Sequence, residues 1–202
     1  MEDIEGDGPA RISLIESDSA RLELTGEDPG TNAVLAKLPT PTFSSMDRIP
    51  TRFSRFQFFR STISESQDPG RYLLWGRRPQ TILTGQATYQ LESRWTCIGC
   101  AKDGAILSGD AEGQLNLDFD QLHGDLSIQG DGMAIAANID LEKNHAFTEG
   151  GEVSLSFEDE LIALDQAIID GSLFGPGGEE AGLLYGLTGG AMAVTGAAVG
   201  RR

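Results

Sequence analysis

The 202-residue chain is short of positive charge, of thiols and of long apolar runs, and each shortage narrows what it can be. Its 15 Lys and Arg stand against 31 Asp and Glu, a formal net charge of −16. Binding nucleic acid needs clustered cations that replace phosphate counterions, so a nucleic-acid partner is excluded. No run of about 18 apolar residues is present, so no segment reads as a bilayer-crossing helix. The opening MEDIEGDGPA lacks the basic and apolar regions of a secretory signal. Two expectations stay open from that: a cytoplasmic chain, or a mature exported one from which a targeting segment has been removed. With 2 Cys and 2 His, any metal centre of soft ligands would draw on Cys97, Cys100, His123 and His145.

Glycine, by contrast, is abundant: 26 residues spread along the chain rather than held in one tract. Spread glycine means many turns, and the segments between them alternate with period two. Leu115, Leu117 and Phe119 alternate with Asn116 and Asp118; Met133, Ile135, Ala137, Ile139 and Leu141 do the same, as do Val153, Leu155 and Phe157. Turn signals such as KDG, HGD, GDG, TEGG and TGG bound these runs. The spacing predicts a mainly β protein whose larger part is an antiparallel barrel or sandwich. The segment 158–170, EDELIALDQAIID, also suits a helical face, but strand is the favoured reading.

Charge divides the chain in two. Residues 37–78 hold eight Lys/Arg against three acids, whereas residues 81–202 hold five against nineteen. A boundary near residue 80 follows, with 1–80 as a small β subdomain carrying an acidic flexible tail and 81–202 as the barrel. Strands are expected at Arg11–Ile15, Arg21–Leu24 and within RYLLWG (71–76). The proline-bearing KLPTPTFSSMDRIP reads as a loop or connector.

The stretch GSLFGPGGEEAG (171–182) invites three chemical readings. A phosphate loop needs a Lys after its glycines, where this one carries Glu179 and Glu180. A dinucleotide fingerprint needs a strand–turn–helix setting that is missing. A glycosidase pair needs two carboxylates facing one cleft, while adjacent side chains in strand geometry point apart. Glu179 and Glu180 are therefore expected to be solvated turn acids, with no catalytic residue assigned and the protein not an enzyme.

The same stretch resembles a family. TGQATYQLESRW is similar to the strand that opens the barrel of transferrin-binding protein B-like surface lipoproteins. GQLNLDFDQLHGDLSIQG resembles that family's next hairpin, GSLFGPGGEEAGLLYG its most recognisable segment, and the terminal GAAVGRR its closing strand. These matches fall in the family's order over roughly residues 81–202. The resemblance implies a barrel of about eight strands, with residues 1–80 as a handle-like subdomain beside it. Phe174 would point into the barrel, Gly175 and Pro176 would turn the chain, and Glu180 and Gly182 would complete the marker. It further implies a binding protein at the outer membrane surface of a bacterium or outside the cell, serving iron-carrier or haem acquisition. Membrane attachment would come only through an N-terminal lipid anchor absent from this chain.

Three features remain as candidate sites. Cys97 and Cys100 in TCIGC could be a local disulfide, a redox dithiol, half of a zinc site with His123 and His145, or two free thiols. The disulfide is favoured; the zinc or thiol reading is the enzyme alternative. His123 and His145 are also the only axial ligands for a haem-type ligand, although both fall in turns. RFSRFQFFRS sets Arg52, Arg55 and Arg60 among Phe53, Phe56, Phe58 and Phe59, and with Trp75 it offers the residue types that anchor a protein partner. The competing reading has alternate Phe packing residues 1–80 onto the barrel while Arg faces the acids of 81–202. A structural or adhesive module with no small ligand is the third function considered.

Overall fold

A computed structural model describes residues 79–142 and 145–202, together with the backbone of six strands that precede them. No helix occurs among the described residues. β1 (Ala10–Ile15) and β2 (Arg21–Gly26) form an antiparallel hairpin pair. β3 (Thr31–Val34), β4 (Phe43–Asp47), β5 (Ser54–Ser61) and β6 (Arg71–Arg77) form a second sheet in the order β3-β6-β5-β4. The connector expected over residues 37–50 is thus corrected in part, because Phe43–Asp47 is a strand. Its prolines flank rather than interrupt β4, and an edge strand needs a ladder on one side only.

Nine further strands follow: β7 (Gln86–Ile98), β8 (Leu107–Asp118), β9 (His123–Gly130), β10 (Met133–Leu141), β11 (Ala146–Phe157), β12 (Glu160–Ile162), β13 (Gln166–Phe174), β14 (Glu180–Gly189) and β15 (Met192–Arg201). Their order is β10-β9-β8-β7-β15-β14-β13-β11-β12, and β10 also pairs with β11. That extra pairing closes eight antiparallel strands into a barrel and leaves β12 as a short arm on β11. Segment 158–170 is strand, as favoured, but divided: β12 and the first part of β13 are separated by residues 163–165. The two-residue turn before β12 places Glu158 and Asp159 both at positive φ, the backbone that matches strand twist in a tight hairpin.

Alternation along each strand sets the two faces. On β9, Gly124, Leu126 and Ile128 are buried while His123, Asp125 and Ser127 are exposed. On β10, Met133, Ile135, Ala137, Ile139 and Leu141 face inward, as their period predicted. Apolar side chains fill the inside: Tyr89, Leu91 and Trp95 from β7, Leu115 and Leu117 from β8, Phe147 from β11, Tyr185 and Leu187 from β14. Eight strands enclose about the space that such side chains can fill, so the interior is a core rather than a channel. A bilayer-spanning barrel has the opposite arrangement, with its apolar band outside.

Where two large rings would compete for the interior, glycine makes room. A Cβ on Gly196 of β15 would fall on the Tyr185 ring and hydroxyl. The Tyr185 hydroxyl lies 2.9 Å from Ser93 Oγ, and Ser93 Oγ donates to the Ala197 carbonyl at 2.9 Å. With Ser93's one proton used there, Tyr185 is the donor to Ser93. Gly186, whose Cβ would meet nothing within 4 Å, provides the contrast. Gly196→Ala is expected to cost about 1–3 kcal/mol through overpacking, and Gly186→Ala close to nothing, in urea unfolding of the whole chain. Equal effects at the two positions would contradict the assigned faces.

Candidate functional site

A filled barrel leaves its chemistry to its ends and outer wall. One end gathers residues 79–85, the turn 119–122, the loop 175–179 and the C-terminus; the other gathers the Cys97–Cys100 loop and the turns at 131–132, 158–159 and 190–191. GSLFGPGGEEAG crosses the first end. Gly175 and Gly178 both have positive φ, at 90° and 68°, and the Gly178 N–H donates to the Gly175 carbonyl at 3.0 Å. A side chain with a Cβ would be strained in that backbone, which explains the glycine spacing without any phosphate.

The loop is a point of convergence. Its Pro176 carbonyl accepts from the Gln80 N–H and the Thr81 hydroxyl, each at 3.1 Å. Leu83 packs against Gly178. The Arg202 guanidinium donates to the Gly177 carbonyl at 2.7 Å, and its backbone N–H donates to the Glu179 carbonyl at 3.2 Å. From inside the barrel, the fully buried Tyr89 hydroxyl donates to the Gly178 carbonyl at 2.7 Å. Burial pushes the Tyr89 phenol up to about 12; Arg202 opposes that rise and Glu179 adds to it. Gln80 and Thr81, the first barrel strand and Arg202 are thus held by one five-residue loop.

Two sequence expectations about this stretch are corrected. Ile169 and Leu173 belong to the inner core, so alternation along β13 turns Phe174 outward, opposite Glu180 of β14. Yet Phe174 and Glu180 are each only 1% exposed. Glu180 is therefore not a solvated turn acid: its Oε1 lies 3.6 Å from Nε of Arg201, its cross-strand neighbour on β15. Ala197 and Val199, also outward on β15, are buried as well. The outer wall of β13–β15 is covered near this end, where the backbone of β6 runs beside β14 and that of β3 beside β13. Burial of an outward face depends on what lies over it, and strand period carries no such information. Glu179 accepts the Gly177 N–H at 3.0 Å through Oε2, and Gly182 sits on β14 opposite Ser172.

At the opposite end, Cys97 and Cys100 form a disulfide with Cα atoms 5.8 Å apart, within the span that a disulfide bridges. Cys97 is fully buried and belongs to the core, and Gly99 between the two packs against the Ala191 carbonyl. His123 begins β9 and His145 precedes β11, both at the first end of the barrel. The zinc or thiol centre combining them with the cysteines is corrected: the histidines and the cysteines lie at opposite ends, and the sulfurs are bonded to each other. His123 faces out, cross-strand from Asp118 and Asp140 and 4.0 Å from Asp125. The Gln86 amide first, then the Gln121 and Asp120 backbone N–H donors and last His123, hold the Asp118 carboxyl below the usual carboxylate range. His145 takes a positive φ of 69°, and its carbonyl accepts the Leu173 N–H at 3.0 Å. The His123 imidazole is exposed, whereas haem ligation needs an apolar pocket, and His145 is half-buried.

Of the Arg/Phe cluster, Arg52 and Phe53 lie outside the described residues. Arg55, Phe56, Phe58, Phe59 and Arg60 are on β5, whose register sets Arg55 opposite Trp75 of β6 and Phe58 opposite Tyr72.

Two measurements follow from this geometry. Tyr89→Phe is expected to lower stability by about 1–3 kcal/mol, because the Gly178 carbonyl loses its buried donor. Because Tyr89's folded-state value lies above its ordinary 10.0, the neutral phenol's contribution is complete below pH 10 and fades as pH rises towards about 12. The stability gap between native and Tyr89→Phe chains should therefore shrink over that window; a gap that widens would mean a folded-state value below the ordinary 10.0. Unfolded but unreduced protein should give no free thiol with a disulfide-exchange reagent; two would refute the pairing.

No family model and no curated protein matches the chain. Solved structures do match. A surface lipoprotein is similar over 96% of this chain and 97% of its own, with TM-score 0.55 and 11% identity. A transferrin binding protein B from Actinobacillus pleuropneumoniae is similar over 96% of this chain and 98% of its own, with TM-score 0.54 and 13% identity. A transferrin binding protein B from Haemophilus parasuis reaches TM-score 0.59 at 10% identity, over 95% of this chain and 52% of that one. The chain has the barrel fold of transferrin binding protein B and related surface lipoproteins.

Proposed function

We propose that this chain is a binding protein displayed on a bacterial outer membrane or released from it, that it is not an enzyme, and that its partner is a protein of the iron-carrier class. The supporting observation is the extent of the likeness. It runs over 96% of this chain and nearly all of two solved chains, so it takes in most of residues 1–80 as well as the barrel. On this reading residues 1–80 are a handle-like subdomain and residues 81–202 the barrel that carries it. The pinned loop 175–179 then acts as the fixed joint between them, since Gln80 and Thr81 are tied to Pro176 where the linker arrives.

The contact surface on this reading is Arg52, Phe53, Arg55, Phe56, Phe58, Phe59 and Arg60 with Trp75, aided by loops at the joint. Arginine and aromatic residues dominate the binding energy of most protein interfaces because they bury large area and still make directed polar contacts. With a filled core, the barrel supplies rigidity rather than a ligand cavity.

The test is to immobilise the whole chain and pass iron-loaded and iron-free transferrin and lactoferrin over it, with haem titrated separately and followed in its Soret band. Saturable binding of one carrier, weakened about tenfold or more by Arg55→Glu with Arg60→Glu, is the expected result. Binding of haem alone would replace the protein partner with a haem-type ligand. Failure of every carrier and of haem would leave the adhesive or structural reading and overturn this one.

A further inference from the structure

The barrel is closed unevenly. β13 pairs with β14 along all of Gln166–Phe174, but with β11 only through Ala146–Thr148 against Asp170–Ser172. Beyond Thr148 the two strands part, and β11 meets β12 only from Leu155 onward. On its other side β11 slips register against β10 over the same stretch, with Val153 opposite Ala137 but Glu149 opposite Ile139, so Gly150–Glu152 form a bulge. A seam therefore runs down the barrel wall between β11 and β13.

The lips of the seam have defined chemistry. The Leu173 N–H donates to the His145 carbonyl, and the Ile169 N–H donates to Glu149 Oε2 at 2.7 Å, so odd-numbered amides of β13 point towards β11. By the same alternation the Ala167 amide points into the seam, beyond the last β11–β13 pair. Core side chains are only partly covered here: Val153, Ile162, Leu164 and Ala167 all lie at this place. Leu161 is 77% exposed and Ile168 45% exposed, two of the few large apolar side chains left open on the described surface.

Among the described residues, charge at the seam has one sign. From Asn144 to Gly200 the sequence contains no Lys or Arg, while Glu149 and Asp170 stand on the two strands and Glu152 in the bulge. Burial, with Glu149 adding its repulsion, holds the Asp170 carboxyl above the ordinary carboxylate range.

We propose that the β11–β13 seam is a docking slot for an extended basic segment of another polypeptide, paired by its main chain to the open flank of β13. Its Lys or Arg side chains meet Glu149 and Asp170, and apolar side chains two positions along, on the face that Asp170 and Ile168 share, cover Ile168 and Leu161. Strand addition suits an unpaired flank because main-chain bonds supply affinity while alternate side chains supply selectivity. Charge complementarity names the occupant: a cation relieves the mutual repulsion of the two acids, whereas a second copy of this chain would bring the same acids to the same place. The slot is separate from the Arg/Phe surface and stands whether or not that surface binds an iron carrier.

The probe is a fluorescent octapeptide, Lys-Thr-Val-Thr repeated, whose Lys and Val side chains share one face of a strand, titrated with the whole chain and followed by anisotropy. Comparators are the same peptide N-methylated at alternate backbone positions and an oligolysine of equal charge. The patterned peptide should bind about tenfold or more tightly than either comparator. Glu149→Gln with Asp170→Asn should abolish that preference, and so should Ile168→Ser, which removes no polar bond. Glu92→Gln with Glu112→Gln, a cross-strand pair on β7 and β8, should leave it intact. Equal binding of the N-methylated peptide, or equal loss in the Glu92/Glu112 variant, would reduce the attraction to bulk charge and overturn the slot. Dimerisation of the free chain that Ile168→Ser abolishes would assign the seam to a second copy instead.

Discussion

The structure depends on one ladder, that between β15 and β7, in which Ala193–Arg201 run antiparallel to Gln90–Ile98. Every inward side chain relies on it. Without it the sheet would present two long free edges and an inner face open to water. With it, Trp95, Tyr89, Phe147 and Tyr185 share one enclosed volume and become mutually buried. The ladder joins residues about a hundred positions apart, so it is among the last economies the chain can make. Loop closure must be accomplished before the contacts that reward it exist.

Closure also explains why GSLFGPGGEEAG is arranged as it is. The glycine-rich crossing between β13 and β14 closes the end of the barrel where residues 79–85 enter and β15 finishes. Backbone carbonyls of Pro176, Gly177 and Gly178 accept from Gln80, Thr81, Arg202 and Tyr89, so the loop acts as an acceptor hub, not as the ring of amide donors that a phosphate site requires. A segment rich in the residues of nucleotide loops thus serves the opposite polarity of hydrogen bond.

The weakest part of the closure is the β11–β13 join, and it coincides with a bulge, with partly uncovered core side chains and with unrelieved negative charge. In a wall otherwise continuous, a gap of this kind concentrates whatever binding capacity the backbone has left. The fold therefore separates two tasks: the crossing at one end fixes residues 80–81, and the seam leaves part of the wall available.

Much of the fold was legible in the sequence because a strand's period is a local property. Met133 to Leu141 alternate in the chain and alternate in the barrel, and GDG and TGG mark turns because short-range backbone sterics demand it, whereas HGD opens β9 just past the turn at 119–122 and TEGG lies within β11. The same holds for Cys97 and Cys100, three residues apart and bridged as a local pair. What failed was everything that needed a second surface. Phe174 and Glu180 looked like an inward anchor and a wet acid, yet one is outward, both are buried, and Glu180 meets Arg201 across a strand 21 residues later. The seam left no sequence trace beyond Gly150–Gly151 and a stretch without cations. By itself the sequence determined strand, turn and which neighbours alternate, since these follow from backbone geometry over a few residues. Only the tertiary structure decided which face is covered, which ladders stop short and which charges meet, because burial and pairing belong to segments brought together from far apart.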